Sequence, residues 1–600
     1  MIRCMVCNMK KCRTGQKGCD ILGRYNLLDE PWIMVMTEDG ESRKVSLQEV
    51  FRHAHEYQSL AGDMVTQDFA VMRVLLAVLH TVFSRVNAAG ETYKYLTLDA
   101  RYVPQNEIEE DDADDYGEEL FETWEILWRT GRFPEIVETY LEAWRDRFYL
   151  FDETYPFYQV TKESIAPDKI NTAEAGIICG KNINRLISES KNKVALFSPK
   201  YEGENNKEIL DADEIARWLI TFQGYTGVMD KTAFRTEKYT TSKGWLFDLG
   251  GIYLSGENLF QTLWLNCMLW HTEESYRIER QCPCWEYTGE ELVANYLQGK
   301  TVKNSAALYT NWSRAIYIPE DTDTHKPFFL QAVKLPEIEH KEQFLEPMTL
   351  WQFNQSKSNK NCFTPRKHKE QEALWRSFGL LTLSYRTDTG RGKIEAKRKP
   401  EIMAWLDRIK SDLGDKDIRF SAVSMKDNGK PTSWVPTDEI YDELKLPYEV
   451  IADADWIPRI NDAVEETKEV IELIYGRFLS EVKDIRGFVE NQKEKPKEKQ
   501  KEKQIEKEKQ KMYFMVDDPF RRWLSQLTVD AGKEAALKEW RETLKGIVET
   551  GAKKIWQTAG HRDYIGIDSG KDSKTGSAKG IKNIATAYRD FRIRLYKKLQ

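Results

Sequence analysis

Residues 68–86 read DFAVMRVLLAVLHTVFSRV, and this apolar stretch decides the kind of fold that the chain adopts. Apolar side chains would cover most faces of a helix formed here, which is typical of a helix buried inside a large domain. His80 lies on this helix and is expected to be a core histidine rather than a ligand. No uninterrupted apolar run of the chain approaches the roughly 20 residues that span a bilayer, so we expect a soluble protein with no membrane partner.

The stretch before this helix has the pattern of a hairpin that leads into another helix. Residues 25–51 read YNLLDEPWIMVMTEDGESRKVSLQEVF, with a turn predicted at 38–40 between two short strands. Ser46 is the expected helix N-cap, because Glu49 follows three residues later as in a capping box.

The rest of the chain divides into two regions that differ in sequence pattern. From about 150 to 450, short strand-like runs alternate with Gly, Pro and Asn, which indicates an irregular α/β domain with long loops. Beyond that point apolar residues recur at helical spacing in four segments without intervening strands, which predicts an antiparallel bundle. The four segments are 460–489, 519–529, 534–550 and 578–599.

A low-complexity segment interrupts the bundle. Residues 493–511 contain nine Lys and five Glu, and we expect an extended, solvated linker because they offer little apolar surface to bury. The predicted fold class is therefore α+β, with a large irregular mixed α/β N-terminal domain followed by a C-terminal four-helix bundle. The predicted domains are a Cys-containing extension (1–20), a large α/β domain (21–450) and a four-helix bundle (451–600) with a charged linker at 491–512.

Charge is strongly segregated along the 600 residues, although the net charge is only −8. Eleven acids and no Lys or Arg lie within 107–125, whereas 357–399 carries twelve Lys and Arg against four acids, interleaved with aromatic residues. The basic segment is a candidate surface for a polyanion, and an ordinary solvated face is the alternative. The phosphate-binding candidates in it are Lys357, Lys360, Arg366, Lys367, Arg391 and Lys393.

Nine cysteines are compatible with a reducing compartment, and the N-terminus lacks the apolar core of a secretory signal, so we expect a cytoplasmic protein. Four of them, Cys4, Cys7, Cys12 and Cys19, have a spacing that can supply thiolates to a structural zinc ion. A dispensable extension is the other interpretation, and no cofactor is otherwise expected. Cys282 and Cys284 are expected to be buried structural thiols.

Two segments imitate catalytic motifs but lack residues that those motifs require. His561, Arg562 and Asp563 imitate a kinase catalytic loop, but no glycine-rich loop and no D-F-G accompany them. Residues 566–572 are one residue short of a phosphate loop and lack its hydroxyl. We therefore expect no enzyme. The competing class is a nucleic-acid-cleaving metalloenzyme that uses the cysteines or His561, and a scaffold without DNA preference is a third.

Three polar loops carry chemistry suited to nucleic-acid contact, although a plain surface turn is the alternative for each. Residues 190–193 place amide and ammonium donors at the tip of a connection. Residues 240–245 precede Gly250 and Gly251, whose missing side chains would let backbone amides approach a groove or a phosphate. Residues 426–434 are a turn-forming segment suited to probing a base step.

Several segments together resemble the large subunit of the type I-E CRISPR surveillance complex, Cascade, the CasA family. The resemblance begins with the 25–33 segment YNLLDEPWI and continues through 147–151 and 193–197. It includes the 244–251 segment GWLFDLGG and resumes at 283–286, 308–310, 438–439 and 443–444. Order and spacing agree over most of 24–600, which is more specific than any single motif.

The resemblance implies a DNA reader without catalysis. Members recognise the protospacer-adjacent motif in duplex DNA, help to open the strands and form the R-loop, and recruit a helicase-nuclease, while guide RNA pairs with the target. The implied partners are the other Cascade subunits with guide RNA, duplex target DNA, its displaced strand and that helicase-nuclease.

Site residues are carried over from the resemblance position by position. The motif-probing and wedge loops correspond to Thr241, Ser242, Lys243, Gly244, Lys426, Asn428, Lys430, Pro431 and Thr432. The loop that meets the guide-RNA end corresponds to 173–192, with Lys181, Asn182, Lys191 and Asn192. The wedge glutamine of the family is absent, and either Lys300 or Lys303 would serve as its groove-entering lysine. Because of these departures, the resemblance does not predict which adjacent-motif sequence is preferred, since minor-groove readout is degenerate.

Overall fold

The structure is a computed structural model that describes residues 25–183, 208–227, 231–236, 238–355, 361–388, 394–413, 417–429, 436–487, 495–530, 532–568 and 580–600, with the side chains of 495–500 excepted. Its mixed α/β composition agrees with the predicted class.

The helices and strands are numbered along the chain. The helices are α1 (Leu47–Arg52), α2 (Val65–Phe83), α3 (Ala113–Thr130), α4 (Ile136–Ala143), α5 (Ala212–Tyr225), α6 (Leu259–Asn266), α7 (Gly289–Leu297), α8 (Ser305–Tyr309), α9 (Phe378–Thr382), α10 (Glu401–Leu413), α11 (Tyr448–Ala452), α12 (Trp456–Glu469), α13 (Gly476–Ile485), α14 (Lys495–Ser525), α15 (Lys533–Gln557), α16 (His561–Ile565) and α17 (Ile584–Lys598). The strands are β1 (Ile33–Thr37), β2 (Ser42–Val45), β3 (Tyr57–Leu60), β4 (Gly176–Cys179), β5 (Gly251–Ser255), β6 (Arg314–Tyr317), β7 (Phe329–Lys334), β8 (Trp351–Asn354), β9 (Cys362–Pro365), β10 (Tyr385–Asp388), β11 (Ile394–Lys397), β12 (Asp417–Asp427), β13 (Pro436–Pro447), β14 (Ile567–Asp568) and β15 (Ile581–Lys582).

The predicted hairpin and its following helix are confirmed. Strands β1 and β2 pair antiparallel from Ile33 opposite Val45 to Met36 opposite Ser42. Ser46 caps α1 by accepting a hydrogen bond from the Glu49 backbone N–H at 3.2 Å. The cap satisfies one of the amide groups that a helix N-terminus leaves unpaired.

Helix α2 is the buried central helix that its composition predicts. By length and composition it would also be apolar enough to cross a membrane, and 89% of that stretch is buried inside the protein. His80 is buried, and burial lowers its pKa to about 3, so the imidazole is neutral. The helix packs against α5, α8 and strand β12, which places it at the centre of the large domain.

Small antiparallel sheets, rather than one large sheet, surround this helix. The three-stranded sheets have the orders β2-β1-β3, β4-β7-β6 and β13-β12-β5. The last contains the longest ladder of the described residues, in which β12 and β13 pair from Asp417 opposite Pro447 to Asp427 opposite Pro436. Strand β5 pairs with β12 from Arg419 to Val423, so the loop end of the hairpin extends beyond the sheet that anchors it.

The C-terminal region consists of long helices that pack on one another. Helices α12 and α13 are joined by a π-helical turn at Val470–Tyr475, and α14, α15 and α17 pack around them. Phe591 and Leu595 of α17 are fully buried in this packing. Two short strands that the sequence pattern did not predict, β14 and β15, pair between α16 and α17.

The prediction of an extended charged linker was wrong from Lys495 onward. Residues 495–525 form one continuous helix, α14. Lys, Glu and Gln are all strong helix formers, and oppositely charged side chains three or four residues apart stabilise the helix further. Lys501 and Lys509 also pair with acids of the preceding helical segments, Asp484 and Glu472, so these two lysines tie α14 to its neighbours.

A single hydrophobic core runs through both predicted domains. The Trp375 ring lies 4.3 Å from the Phe520 ring on α14, centroid to centroid, and its indole N–H donates to Asp517. The boundary predicted between residues 450 and 451 falls inside α11. The division into domains therefore stays a prediction.

Several sequence-based predictions concern residues outside the described part of the chain. They are the extension 1–20 with Cys4, Cys7, Cys12 and Cys19, and the candidates Lys191, Asn192, Lys357, Lys360, Arg391, Lys393, Lys430, Pro431 and Thr432.

Candidate nucleic-acid interface

Two glycines bring the basic segment against the central sheet. A Cβ atom on Gly250 would lie 1.9 Å from the backbone oxygen of Arg366, so only glycine allows this approach. The His368 Nε2 atom lies 2.9 Å from the backbone oxygen of Gly251. The suggestion that these glycines approach DNA is therefore corrected: both are buried and face the protein's own backbone.

This approach places Lys367 between two other candidate segments. Its ammonium group lies 2.9 Å from Asp427 Oδ2 at the end of strand β12 and 3.7 Å from Asp248 Oδ1. It also lies 3.9 Å from the centroid of the Phe247 ring, within cation–π range. Lys367 thus joins the basic segment, the 240–248 region and the β12–β13 hairpin at one point.

The segment 240–244 is held along its length. The Ser242 N–H donates to Leu335 O, and the buried Arg314 guanidinium donates to Ser242 O at 2.7 Å. The Gly244 N–H donates to Thr226 O. Ser242 and Gly244 are buried, whereas Thr240 is exposed and Thr241 and Lys243 are partly exposed. Contact of this segment with DNA stays a prediction.

Lys243 directs its charge into the protein. Its ammonium group pairs with Asp248, and the side chain is only 13% exposed. Asp248 is therefore a carboxylate that both Lys243 and Lys367 contact. To bind a DNA phosphate, Lys243 would have to leave this partner.

The carboxylates of the cluster are ionised. Burial raises the pKa of Asp248, but the nearby charges of Lys243, Lys367 and His340 outweigh it and hold the pKa below its ordinary value. The pKa of Asp427 is also lowered, because hydrogen bonds from Lys367 and from the Gly429 N–H outweigh the effect of burial. The ion pairs are thus fully formed at neutral pH.

The described base of the hairpin loop is ordered by local contacts. The Gly429 N–H donates to Asp427 Oδ1 at 2.7 Å, and Gly429 has φ of +64°, which favours glycine. Lys426 pairs with Glu370 at 2.6 Å and keeps about a third of its side chain exposed. Asn428 is half-buried beside them. These contacts fix the direction in which strand β12 enters the loop of the hairpin.

A buried ion pair supports the scaffold beneath this cluster. Arg73 on α2 makes two hydrogen bonds to Glu346, at 2.8 and 2.7 Å, and both side chains are fully buried. The Trp245 indole N–H donates to the same carboxylate at 2.6 Å. Because Trp245 begins the turn that contains Asp248, this pair links the central helix to the candidate interface.

The other predicted residues lie apart from this cluster or point elsewhere. Lys300 and Lys303 are exposed on a separate loop, where they contact Asn295 at 2.7 Å and Glu279 at 3.2 Å. Both lie at the mouth of a cavity of about 360 Å³. Arg366 is mostly buried and pairs with Glu372 at 2.9 Å.

The segment predicted to meet the guide-RNA end begins as regular structure. Residues 176–179 are strand β4, which pairs with β7. Lys181 lies 3.6 Å from Glu208, and Asn182 is buried. Asn182 is thus a structural residue in this conformation.

The last helix, α17, has a basic face whose side chains are partly paired with acids. Arg592 pairs with Glu549 at 2.7 Å, and Lys598 pairs with Glu469 at 2.5 Å. These pairs reduce the charge that this face offers to a polyanion.

Asp563 and two cysteines, which bear on the competing enzyme hypothesis, have structural contacts, whereas His561 is exposed. Asp563 accepts from the Gly560 N–H and from Arg486 at 3.0 Å, as a helix cap. Cys282 and Cys284 are buried as expected, and burial raises the pKa of each thiol to about 12. Among the described residues, no group of three or more His, Cys, Asp or Glu is arranged to hold a metal ion.

Sequence reasoning missed Asp248, Asp427 and Glu370, the acids that bind the lysines of the cluster. Asp427 lies in the turn segment that was singled out, but its role as the partner of Lys367 has no local signal, because the two are distant in sequence. Asp248 lies in the GWLFDLGG motif, which was noted only for its resemblance.

Comparison with known proteins agrees with this fold. Residues 26–550 match the family model described as CRISPR-associated protein Cse1. A curated relative, CasA/Cse1 of Thermus thermophilus, is 22% identical over 562 residues, which cover 91% of this chain and 94% of the relative. The crystal structure of Thermobifida fusca Cse1 has a TM-score of 0.71 at 21% identity, covering 96% of this chain and 98% of that one. A chain of a structure described as a CRISPR RNA-guided surveillance complex has a TM-score of 0.59 at 14% identity, covering 95% and 99%. The chain belongs to the Cse1 (CasA) family of CRISPR-associated proteins.

Proposed function

We propose that this chain is the large, non-catalytic subunit of a type I-E Cascade, which recognises the protospacer-adjacent motif in duplex DNA and helps to open the strands. The observation that carries the proposal is the position of Lys367, which bonds Asp427 at the base of the hairpin loop and lies beside Asp248 of the motif-probing region. A loop that probes the duplex and a loop that separates its strands must act in register. A shared charged contact couples them.

The physical division of labour supports this role. In RNA-guided recognition, base pairing with guide RNA reads the target, and the protein reads a short adjacent motif and the phosphate geometry. Phosphate contacts position the duplex, whereas contacts in the groove carry the specificity. Lys426 and Thr241 have exposed surface for such contacts in the present conformation.

We also propose an arrangement for the C-terminal helices and a set of partners. The C-terminal helices would form the four-helix bundle of the family, the other Cascade subunits with guide RNA would assemble on the chain, and a helicase-nuclease would be recruited afterwards. We propose a cytoplasmic protein that needs no cofactor. Zinc bound by Cys4, Cys7, Cys12 and Cys19 would be structural only.

The decisive experiment compares strand opening with binding. The assembled complex containing Lys430→Ala and Thr432→Ala should open motif-bearing duplex more slowly, yet bind a pre-opened bubble nearly as well as the parent complex. A fluorescent base analogue beside the motif reports opening. Equal loss on both DNAs would show that this loop is not the wedge.

A second assay separates the proposal from the nuclease hypothesis. The purified chain, incubated with labelled DNA and magnesium, manganese or zinc, should leave the DNA intact. Metal-dependent cleavage that survives further purification would overturn the non-catalytic role.

A further inference from the structure

A cleft of about 480 Å³ lies between the hairpin strand β13, the segment 369–376 and helix α14. It is therefore built from both predicted domains. Its volume falls within the range of small-molecule sites, which start near 300 Å³. None of the residues assigned so far to the proposed wedge or motif-probing loops lines it.

Exposed aromatic rings line this cleft. The Phe514 side chain on α14 is 84% exposed, and Tyr441 on β13 is 44% exposed. Deeper in the cleft, the Arg376 guanidinium lies 3.6 Å from the centroid of the Tyr513 ring. A phenylalanine this exposed gains little from folding, so its apolar surface remains available to a ligand.

The charges around the cleft favour an anionic ligand. Its lining holds five Lys and Arg against three Asp and Glu. Each of these acids is paired, Asp442 and Asp517 with Arg521, at 2.9 and 3.0 Å, and Glu372 with Arg366 at 2.9 Å. The cations Lys507 and Lys511 stand at the rim, and Lys507 has no ion-pair partner within the described residues. A site with paired acids and an uncommitted ammonium attracts phosphate.

Two buried polar atoms in the lining also lack partners within the described part of the chain. They are Arg376 Nε, a donor, and Gln510 Oε1, an acceptor. A nucleobase edge presents both acceptors and donors, and it would reach these two atoms once the Arg376 and Gln510 side chains turn toward the cleft.

We propose that this cleft binds an unpaired nucleobase of the displaced DNA strand, stacked on Phe514 and held by phosphate contacts from the rim lysines. The inference rests on the proposed function and deepens it. Tyr441 lies five residues along β13 from Pro436, where the hairpin loop ends, a distance of about 17 Å for an extended strand. A base released by the wedge would therefore reach the cleft within a short length of single strand.

The test uses Phe514→Ala in the full chain and measures binding of fluorescein-labelled oligothymidylate by anisotropy. Loss of one stacking partner should weaken binding about 5- to 100-fold, since base–aromatic stacking contributes about 1–3 kcal/mol per base. Leu473→Ala is the matched control, because Leu473 is an exposed apolar residue outside the cleft. It should leave the affinity unchanged, and thermal unfolding should be unaltered in both variants.

A second oligomer identifies which part of the ligand is recognised. An oligonucleotide of the same length with abasic sites should bind the parent chain as weakly as normal DNA binds the Phe514→Ala variant. Equal affinity of the parent chain for the normal and abasic oligomers would overturn base stacking. If Phe514→Ala has no effect on binding, base stacking is overturned as well. The exposed Phe514 ring would then be a contact for a protein partner.

Duplex binding separates this inference from the proposed function. Motif-dependent duplex binding by the assembled parent complex, together with no effect of Phe514→Ala on the single strand, would refute the cleft alone. Phe514-dependent single-strand binding without any motif preference would refute the proposed function and retain the cleft as a single-strand site.

Discussion

The Lys367 ammonium group lies 2.9 Å from the Asp427 carboxylate. This contact ties the basic segment to the long hairpin, and both side chains keep only about a fifth of their surface exposed. The same ammonium group lies 3.7 Å from Asp248, so the hairpin and the 240–248 region share one cation. The direction of the hairpin loop depends on this shared ammonium group of Lys367.

Replacing Lys367 by Met should uncouple the hairpin from the 240–248 region. We expect strand opening on motif-bearing duplex to slow about five- to tenfold, because the lost ion pair contributes about 1 kcal/mol to the position of the hairpin. The measurement is stopped-flow fluorescence of a base analogue beside the motif. Lys326→Met is the control, since Lys326 is exposed and pairs with Asp323, its neighbour in sequence, at 3.1 Å. Opening that is equally fast in the parent and Lys367→Met complexes would contradict the coupling.

Binding of the assembled complex to duplex DNA should depend steeply on salt. Six or so phosphate contacts predict a loss of about 10³ in affinity between 50 and 200 mM salt, because each contact releases counterions. Titrations at several salt concentrations give the slope. A flat response would remove the electrostatic part of the proposed interface.

Glu346→Gln should destabilise the folded chain. The substitution leaves the buried Arg73 without its charged partner, and we expect a loss of about 3–5 kcal/mol in the free energy of unfolding. Urea unfolding measures it. Glu290→Gln, at an exposed acid whose partner Lys169 lies 3.4 Å away, should change stability by less than about 0.5 kcal/mol. Similar values for the two variants would show that the buried pair is not a scaffold element.

Asp68 gives the chain a pH dependence of predictable sign. Burial, partly offset by a hydrogen bond from the Gly62 N–H, raises its pKa from 3.8 to about 7. The folded state therefore holds more protons than the unfolded state between these values, and stability falls as pH rises from about 4 to 7. Asp68→Asn keeps the acceptor but removes the ionisation. Its stability advantage over the parent should grow by about 1 kcal/mol between pH 5 and pH 8, after allowance for partial solvent exposure.

Urea unfolding of both proteins at each pH tests this expectation. Parallel pH profiles for the parent and the Asp68→Asn variant would show that Asp68 titrates normally.

The elements with local signals were predictable. The β1–β2 hairpin, the Ser46 cap and the buried helix α2 follow from alternation, capping chemistry and composition, all of which act over a few residues. The charged segment from Lys495 was misjudged, although its residues are good helix formers. Its low apolar content suggested an extended chain, whereas its ion pairs with Asp484 and Glu472 require neighbouring helical segments that no local pattern reveals.

The amino-acid order alone was enough to specify the family, the mixed fold class and the segments that bear lysines, because these depend on composition, local periodicity and motif spacing. Which acid each lysine meets depended on the folded chain. Lys367 reaches Asp248 and Asp427 because the missing side chain of Gly250 admits the Arg366 backbone. Such contacts join residues far apart in sequence, and their energies depend on distance and burial, which exist only after the chain has packed.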